Sequence, residues 1–505
     1  MGFSKTIARN TFWNWVGVLV QMGAGFVVLP FLVNQLGDSA YGVWLLIGSL
    51  TGYFYLLDLG MRGSVGRHVA FYNAKNDENN VNVMFNTALV YLVIASAIAV
   101  GAVLVFHRYL LGFLGDIPPD QTAPARVAFL IVGASFAMTL PLNLTDAMLW
   151  GLQRFDLINK IDVLAVVLRT ILTFYFVRRG YGLIFLAVLS LGTYVGMAIV
   201  KGIAIYRVYP AIRLGRRYVT HAGAKHLFSY GIWSFCMSIS RLLTSQCSTL
   251  IVGIRLGVSI VTPYSIASRL LSYGVAIVSS SAGVLTPVAT AHYASGEMEQ
   301  VRRLYLNGTK FLTAFSLFFV CNFLLLGRPL IRIWMGPAHE YTATLLYILA
   351  LGELLPMGQL VTSSIMQSRG SPKLLTMINM IDGILVVAST WVLSGRYGLT
   401  GICVGFAASA FLVRGVAMAF LGMRLVGVSP HKFVFHSLLP PLTVAIVPAS
   451  ALAALVSWRS PRGWPELFLY GGGFTLLYLV SITFLVGINR VWTQLLVFNK
   501  KWSKA

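Results

Sequence analysis

Apolar runs of about 20 residues recur along the chain from Phe12 to Gly487, parted by short polar breaks. A run of that length crosses the roughly 30 Å hydrocarbon core of a bilayer as an α-helix. Fourteen are read from the sequence: 10–33, 40–63, 82–106, 124–149, 158–178, 181–206, 227–252, 259–288, 305–327, 341–367, 373–395, 397–422, 434–457 and 466–487. The pattern predicts an all-α polytopic membrane protein with about 14 transmembrane helices.

Composition leaves little room for a soluble alternative. Of 505 residues, 57% are hydrophobic and only 10% charged, outside the range of water-soluble domains. The first span follows Lys5 and Arg9. It is too long for a signal-peptide core and no A-x-A-like cleavage site follows it, so it is expected to be retained. Cys236, Cys247, Cys321 and Cys403 all fall in apolar spans without C-x-x-C spacing. Neither a disulfide nor a metal site is expected, and no cofactor.

A net charge of +23 would suggest nucleic-acid binding in a soluble protein, but its placement argues otherwise. With the N-terminus inside, and residues near span ends counted with the adjoining segment, 23 of the 38 Lys and Arg fall in inner segments and ten in outer segments, leaving five (Arg169, Lys201, Arg241, Arg269 and Arg414) within spans. That is the positive-inside pattern, with both termini cytoplasmic. The densest cluster, Arg207, Arg213, Arg216, Arg217 and Lys225, has Tyr209, Ile212, Leu214, Tyr218, Leu227 and Phe228 interleaved. It reads as an interfacial segment resting on anionic headgroups.

The chain resembles itself at an offset of about 214–221 residues. Leu36-Gly37 pairs with Leu256-Gly257, Ala70-Phe-Tyr72 with Ala291-His-Tyr293, and Leu140-Pro141 with Leu355-Pro356. Asn159-Lys-Ile-Asp162 pairs with Asn379-Met-Ile-Asp382, and Tyr181-Gly-Leu183 with Tyr397-Gly-Leu399. Five pairs in one order predict two pseudo-symmetric six-helix lobes in parallel orientation, plus two C-terminal helices. The expected division is an N-lobe at 1–206, a cytoplasmic interfacial linker at 207–228, a C-lobe at 229–424, and the last two helices with a cytoplasmic tail at 425–505.

A local motif gives the lobes a family. The run Asn34-Gln-Leu-Gly-Asp38, Tyr41-Gly-Val-Trp44, Gly52-Tyr53 and Leu56-Leu-Asp-Leu-Gly60, continuing to Arg67 and Ala70, resembles the polysaccharide-transporter branch of the multidrug/oligosaccharidyl-lipid/polysaccharide exporter superfamily. O-antigen and exopolysaccharide repeat-unit flippases are the group it is most similar to. The resemblance implies a V-shaped, two-lobed transporter in the bacterial inner membrane. It would carry an undecaprenyl-diphosphate-linked oligosaccharide from the cytoplasmic to the periplasmic leaflet by alternating access, beside a polysaccharide polymerase and a chain-length regulator.

Charges within the spans are the candidate chemistry, because each costs about 2.5–3.5 kcal/mol at mid-bilayer and so needs a partner, a wet cavity or a role. Arg241 and Arg269 stand where the first repeat has Gln21 and Ser49. Two guanidinium forks match a diphosphate, which makes this pair the first candidates for the cargo's charged group, with Arg169 and Arg414 behind them. The competing reading pairs the arginines with Glu353 and Asp146, or has them snorkel outward. Lys201, near the inner end of its span, is expected to snorkel. Asp58 and Arg62, four apart with the acid first, suggest an intrahelical gate or structural salt bridge rather than direct cargo contact. Asp162 and Asp382 suit helix N-termini. Asp146 follows Pro141 and Glu353 precedes Pro356, so both are buried acids beside bends. Coupling to a proton or sodium gradient through one of them is one expectation. The other is that the membrane potential alone moves the anion.

Rival functions fit less well. A multidrug or cation exporter of the same superfamily typically carries an acid in its first helix, and 10–33 has none. A membrane polymerase or ligase of lipid-linked glycans would need a large catalytic outer loop. The longest outer connection, 107–123, offers only His107, Arg108, Asp116 and Asp120. Gly-Lys, needed for a Walker A loop, is absent, and no enzyme activity is expected.

Overall fold

Glycine and a few polar residues punctuate an otherwise continuous set of helices. In the computed structural model, which describes residues 3–113, 117–369 and 372–486, the helix Phe3–Gly52 is broken at Gly37 (φ 79°, ψ 164°). Pro372–Ser409 is broken likewise at Gly398 (φ 54°). A residue with a Cβ is strained at positive φ, so these glycines turn the chain where an apolar run would otherwise continue. Eleven helical segments are long and apolar enough to cross a bilayer by length and composition. Two of them, Phe12–Asp58 and Lys373–Val426, each hold two passes. The helix Phe155–Val177, which carries Asp156, Lys160, Asp162 and Arg169, completes fourteen passes among the described residues. Asp116 and the tail from 487 lie outside the described residues, as do the side chains of Lys5, Arg9, Arg108 and Asp120.

The repeat is visible in where helices start and stop. Met61–Ala74 and Leu285–Ala294 end at the same point of each repeat, and the turns after them share left-handed backbone at Asn76 (φ 54°) and Gly296 (φ 72°). The next passes begin at Glu78 and Met298. The fourth pass (Pro119–Leu142 and Leu144–Gly151) is interrupted at Asn143, and the tenth (Thr342–Gly358 and Leu360–Ser368) at Gln359. Each break follows an in-helix proline, Pro141 or Pro356, which removes a backbone donor. The sixth pass, Leu183–Val208, matches the twelfth, 399–426.

The chain divides into two compact units, 1–262 and 263–505. The seventh pass, His221–Ser245 with Cys247–Leu256, opens the second sequence repeat yet packs in the first unit against Met61–Ala74 and Glu78–Phe113. Ser64 Oγ donates to Leu227 O at 2.9 Å, and Tyr53 OH lies 2.8 Å from Cys247 Sγ. Met61, Val65, Met84, Leu140, Leu144 and Met148 lie in that unit's core, which Ile212 joins from the linker and Leu227 from the seventh pass. In the second unit, the last two passes, Leu439–Trp458 and Trp464–Val486, pack on Met298–Met335 through Leu317, Leu326, Leu452, Phe474 and Tyr478. Tyr478 OH donates to Ala314 O at 2.6 Å. Large apolar side chains such as Leu19, Leu164, Val392 and Leu469 face outward, as a lipid-facing surface requires.

The linker 207–228 is hydrogen-bonded to the third pass. Asn82 and Asn86, buried one helical turn apart, each exchange two hydrogen bonds with the extended chain 211–215. Asn82 Nδ2 donates to Ala211 O (3.0 Å) and Oδ1 accepts from Arg213 N (2.7 Å). Asn86 Nδ2 donates to Arg213 O (2.8 Å) and Oδ1 accepts from Gly215 N (3.0 Å). Two carboxamides thus replace a neighbouring strand, and Ile212 turns into the protein. The cations at 207, 213, 216, 217 and 225 stay exposed.

Candidate functional site

The apolar interior of each unit holds one cation between two carboxylates. In the first, Asp146 sits in the first turn after the break at Asn143, Asp162 lies on Phe155–Val177, and Lys201 on Leu183–Val208. Lys201 Nζ is 2.6 Å from Asp146 Oδ1 and 2.7 Å from Asp162 Oδ1, with its side chain 6% exposed. Lys201 therefore does not snorkel; two carboxylates within reach hold its ammonium inside. Arg62 Nη2 approaches the other oxygen of Asp146 at 3.5 Å from a side chain 53% exposed. Asp58 does not grip that guanidinium as its spacing suggested. The run 53–58 is a tight 3-10 turn, followed by Leu59 and Gly60 in left-handed conformation, and Asp58 Oδ2 accepts from the Arg62 backbone N–H at 3.3 Å. Asp58 stabilises the start of the next helix, and Arg62 is left to reach Asp146.

The second unit repeats the plan with different residues. Arg414, in a π-helical stretch (Ala410–Ala417) of the twelfth pass, binds Glu353 through Nη2–Oε1 (2.5 Å) and Nη1–Oε2 (3.2 Å). Its Nε reaches Asp382 Oδ2 at 2.8 Å, and Ser409 Oγ donates to Asp382 Oδ1 at 2.9 Å. Both acids are buried. Asp162 and Asp382 are repeat equivalents; here they hold cations from the sixth and twelfth passes rather than serving at helix entries. Counted from Leu183 and Leu399, Arg414 lies one turn before the place of Lys201. The second carboxylates lie on opposite sides of the helix break. One pattern is built twice, with a titratable ammonium in the first unit and a permanently charged fork in the second.

These pairings account for both acids that the sequence offered to Arg241 and Arg269. Arg241 lies exposed in the first unit and Arg269 exposed in the second. Among the described residues neither guanidinium has a carboxylate partner. Arg169 is likewise exposed, its carbonyl accepting from Thr173 Oγ1. Arg414, by contrast, has its guanidinium occupied by Glu353 and Asp382. Sequence reasoning missed Lys201 as a network member and Ser409 altogether. A lysine inside an apolar helix was the available signal for the former.

Comparison with known proteins places this arrangement. A family model described as "Polysaccharide biosynthesis protein" matches residues 7–292, more than half of the chain. The chain belongs to that family. A second model, MatE, matches residues 234–392. Among relatives of this family member, the "Uncharacterized membrane protein EpsK" of Bacillus subtilis is 23% identical over 94% of both chains. A "Putative O-antigen transporter" of Shigella flexneri is 21% identical over 81% of this chain and 96% of its own. A "Probable low-salt glycan biosynthesis flippase" of Haloferax volcanii is 21% identical over 95% and 96%. The fold is that of solved transporters of the MOP superfamily. An inward-facing multidrug resistance MATE family transporter superposes with TM-score 0.71 at 14% identity, covering 81% of this chain and 94% of its own. A Pyrococcus furiosus MOP superfamily transporter, described as having reverse polarity of its binding pocket, gives 0.64 at 16%, covering 84% and 96%.

Proposed function

We propose that this family member is a flippase, and not an enzyme, that moves a polyprenyl-diphosphate-linked oligosaccharide from the cytoplasmic to the periplasmic leaflet of the bacterial inner membrane by alternating access. The observation that carries this reading is the charge left over in the membrane core. The acids of the two triads are taken by Lys201 and Arg414, so Arg241 and Arg269 stay available to an anionic cargo. Arginine offers a diphosphate bidentate, charge-assisted hydrogen bonds that an organic cation cannot accept. Relatives described as an O-antigen transporter and a glycan flippase agree with such a cargo. The lobes would be 1–206 and 229–424, joined by 207–228, with both termini cytoplasmic. A polymerase and a chain-length regulator would take up the product.

Coupling, on this reading, falls to the first triad. Asp146 is shared by Lys201 and by the half-exposed Arg62, so neutralising that one carboxylate would weaken both contacts. The Glu353–Arg414–Asp382 set, with a cation that does not titrate, serves as the rigid counterpart. The alternative driving force is the membrane potential, worth about 2.3 kcal/mol per charge per 100 mV.

The test is flipping of a fluorescent undecaprenyl-diphosphate oligosaccharide in proteoliposomes under a potential and, separately, a pH gradient. Protein-dependent flipping is the expected result. No flipping, with uptake of a soluble organic cation instead, would return the chain to the multidrug branch.

A further inference from the structure

At the tip of the hairpin joining the last two passes, Arg332, Trp458, Arg459, Ser460 and Arg462 line an open cavity of about 490 Å³. All five residues belong to the second unit. Three of the five are arginines, and the neighbouring carboxylate Glu466 binds Arg459 Nη2 (2.6 Å) and the Arg462 backbone N–H (2.8 Å). The cavity wall is fixed in advance of any ligand. Arg332 Nη2 donates to Pro461 O at 2.8 Å, and Tyr470 OH to Arg459 O at 3.0 Å. The Arg462 guanidinium, exposed at the mouth, makes no hydrogen bond among the described residues.

Two features set the depth and sign of this cavity. Trp458 ends one pass and Trp464 begins the next, and tryptophans at helix ends mark the headgroup layer. On the orientation proposed above this end faces outward, where few cations are expected. Yet three of the ten outer Lys and Arg line this one cavity. Topology does not explain that concentration, and an anionic ligand does. We infer that the cavity binds the phosphate group of a membrane lipid headgroup, with Arg462 as its principal contact. That chemistry is shared by anionic phospholipids of the bilayer and by a polyprenyl diphosphate. The inference rests on the membrane setting and on the orientation proposed above, and not on the flippase reading.

Native mass spectrometry of the detergent-purified full chain tests it, with short-chain phosphatidylglycerol and farnesyl diphosphate titrated separately. Arg462→Glu should weaken retention of at least one of the two about tenfold, and Arg462→Gln less so. Arg396→Glu, an exposed change elsewhere on the same side, should leave both unchanged. Loss of phosphatidylglycerol alone identifies a bulk-lipid site, and loss of farnesyl diphosphate alone a site for the lipid carrier. Retention of both lipids by both Arg462 variants at wild-type strength overturns the proposal, as does an equal loss in Arg396→Glu. Because the lipids are scored by binding, failure here is distinct from failure to transport.

Discussion

Arg414 holds the buried Glu353 by two parallel contacts, 2.5 and 3.2 Å, and the same guanidinium reaches the buried Asp382 through Nε. Removing one partner of a buried ion pair costs about 3–5 kcal/mol because the other charge is stranded. Arg414→Met should therefore lower the midpoint of thermal unfolding in detergent by many degrees. Arg414→Lys should recover only part of the loss, since an ammonium cannot serve both oxygens of Glu353 and Asp382 in one plane. An unchanged midpoint in Arg414→Met would show that the triad does not support the fold.

Lys201 invites the opposite comparison, because its two acids are served unequally. Lys201→Met leaves Asp146 with only the distant Arg62 and leaves Asp162 without a cation. It should destabilise by about 3 kcal/mol or more. Asp146→Asn leaves Lys201 paired with Asp162 and should cost less. If the first triad couples transport to protons, Asp146→Asn proteoliposomes should still respond to an imposed potential but no longer to a pH gradient. A full pH-gradient response in that variant would exclude Asp146 from coupling.

Hydrophobic spacing made the passes legible because lipid imposes a single rule on each of them, and the repeat was legible because turn residues such as Gly37 and Gly257 recur at equal distance. Pairings between passes followed no such rule. Lys201 and Asp162 are near in space only because the sixth pass lies along the fifth, which no local pattern announces. Asp58 and Arg62 had the right spacing for a side-chain pair, but the left-handed Leu59 and Gly60 between them redirect the carboxylate to a backbone N–H. The linker's attachment was hidden for a related reason. Its alternating Arg and apolar residues suit a membrane surface, and the groups that fasten it to the protein, Asn82 and Asn86, lie on another helix.

Those two asparagines yield a direct test. Asn86→Ala removes a donor and an acceptor from a buried strip, stranding Arg213 O and Gly215 N, and unmade buried hydrogen bonds cost about 1–3 kcal/mol each. Asn82→Ala should act alike at Ala211 and Arg213. Limited proteolysis with trypsin should then cut after Arg213, Arg216 or Arg217 several-fold faster than in the wild type. Equal cleavage rates would mean the strip is held by Ile212 packing alone.

On the proposed flippase reading, the exposed arginines should separate cargo binding from stability. Arg241→Ala and Arg269→Ala remove no ion pair among the described residues, and exposed substitutions of that kind usually stay within about 0.5 kcal/mol. Their unfolding midpoints should remain close to wild type. A hydrogen bond to a charged group contributes about 1.5–3 kcal/mol. Loss of one guanidinium contact to a diphosphate should therefore slow flipping roughly 10- to 100-fold at subsaturating cargo. Lysine at either position should restore part of the rate, because the ammonium keeps the charge but not the two-pronged geometry. Alanine variants that flip at the wild-type rate would remove both residues from the cargo path, whereas slowed flipping with a lowered midpoint would assign them to the scaffold.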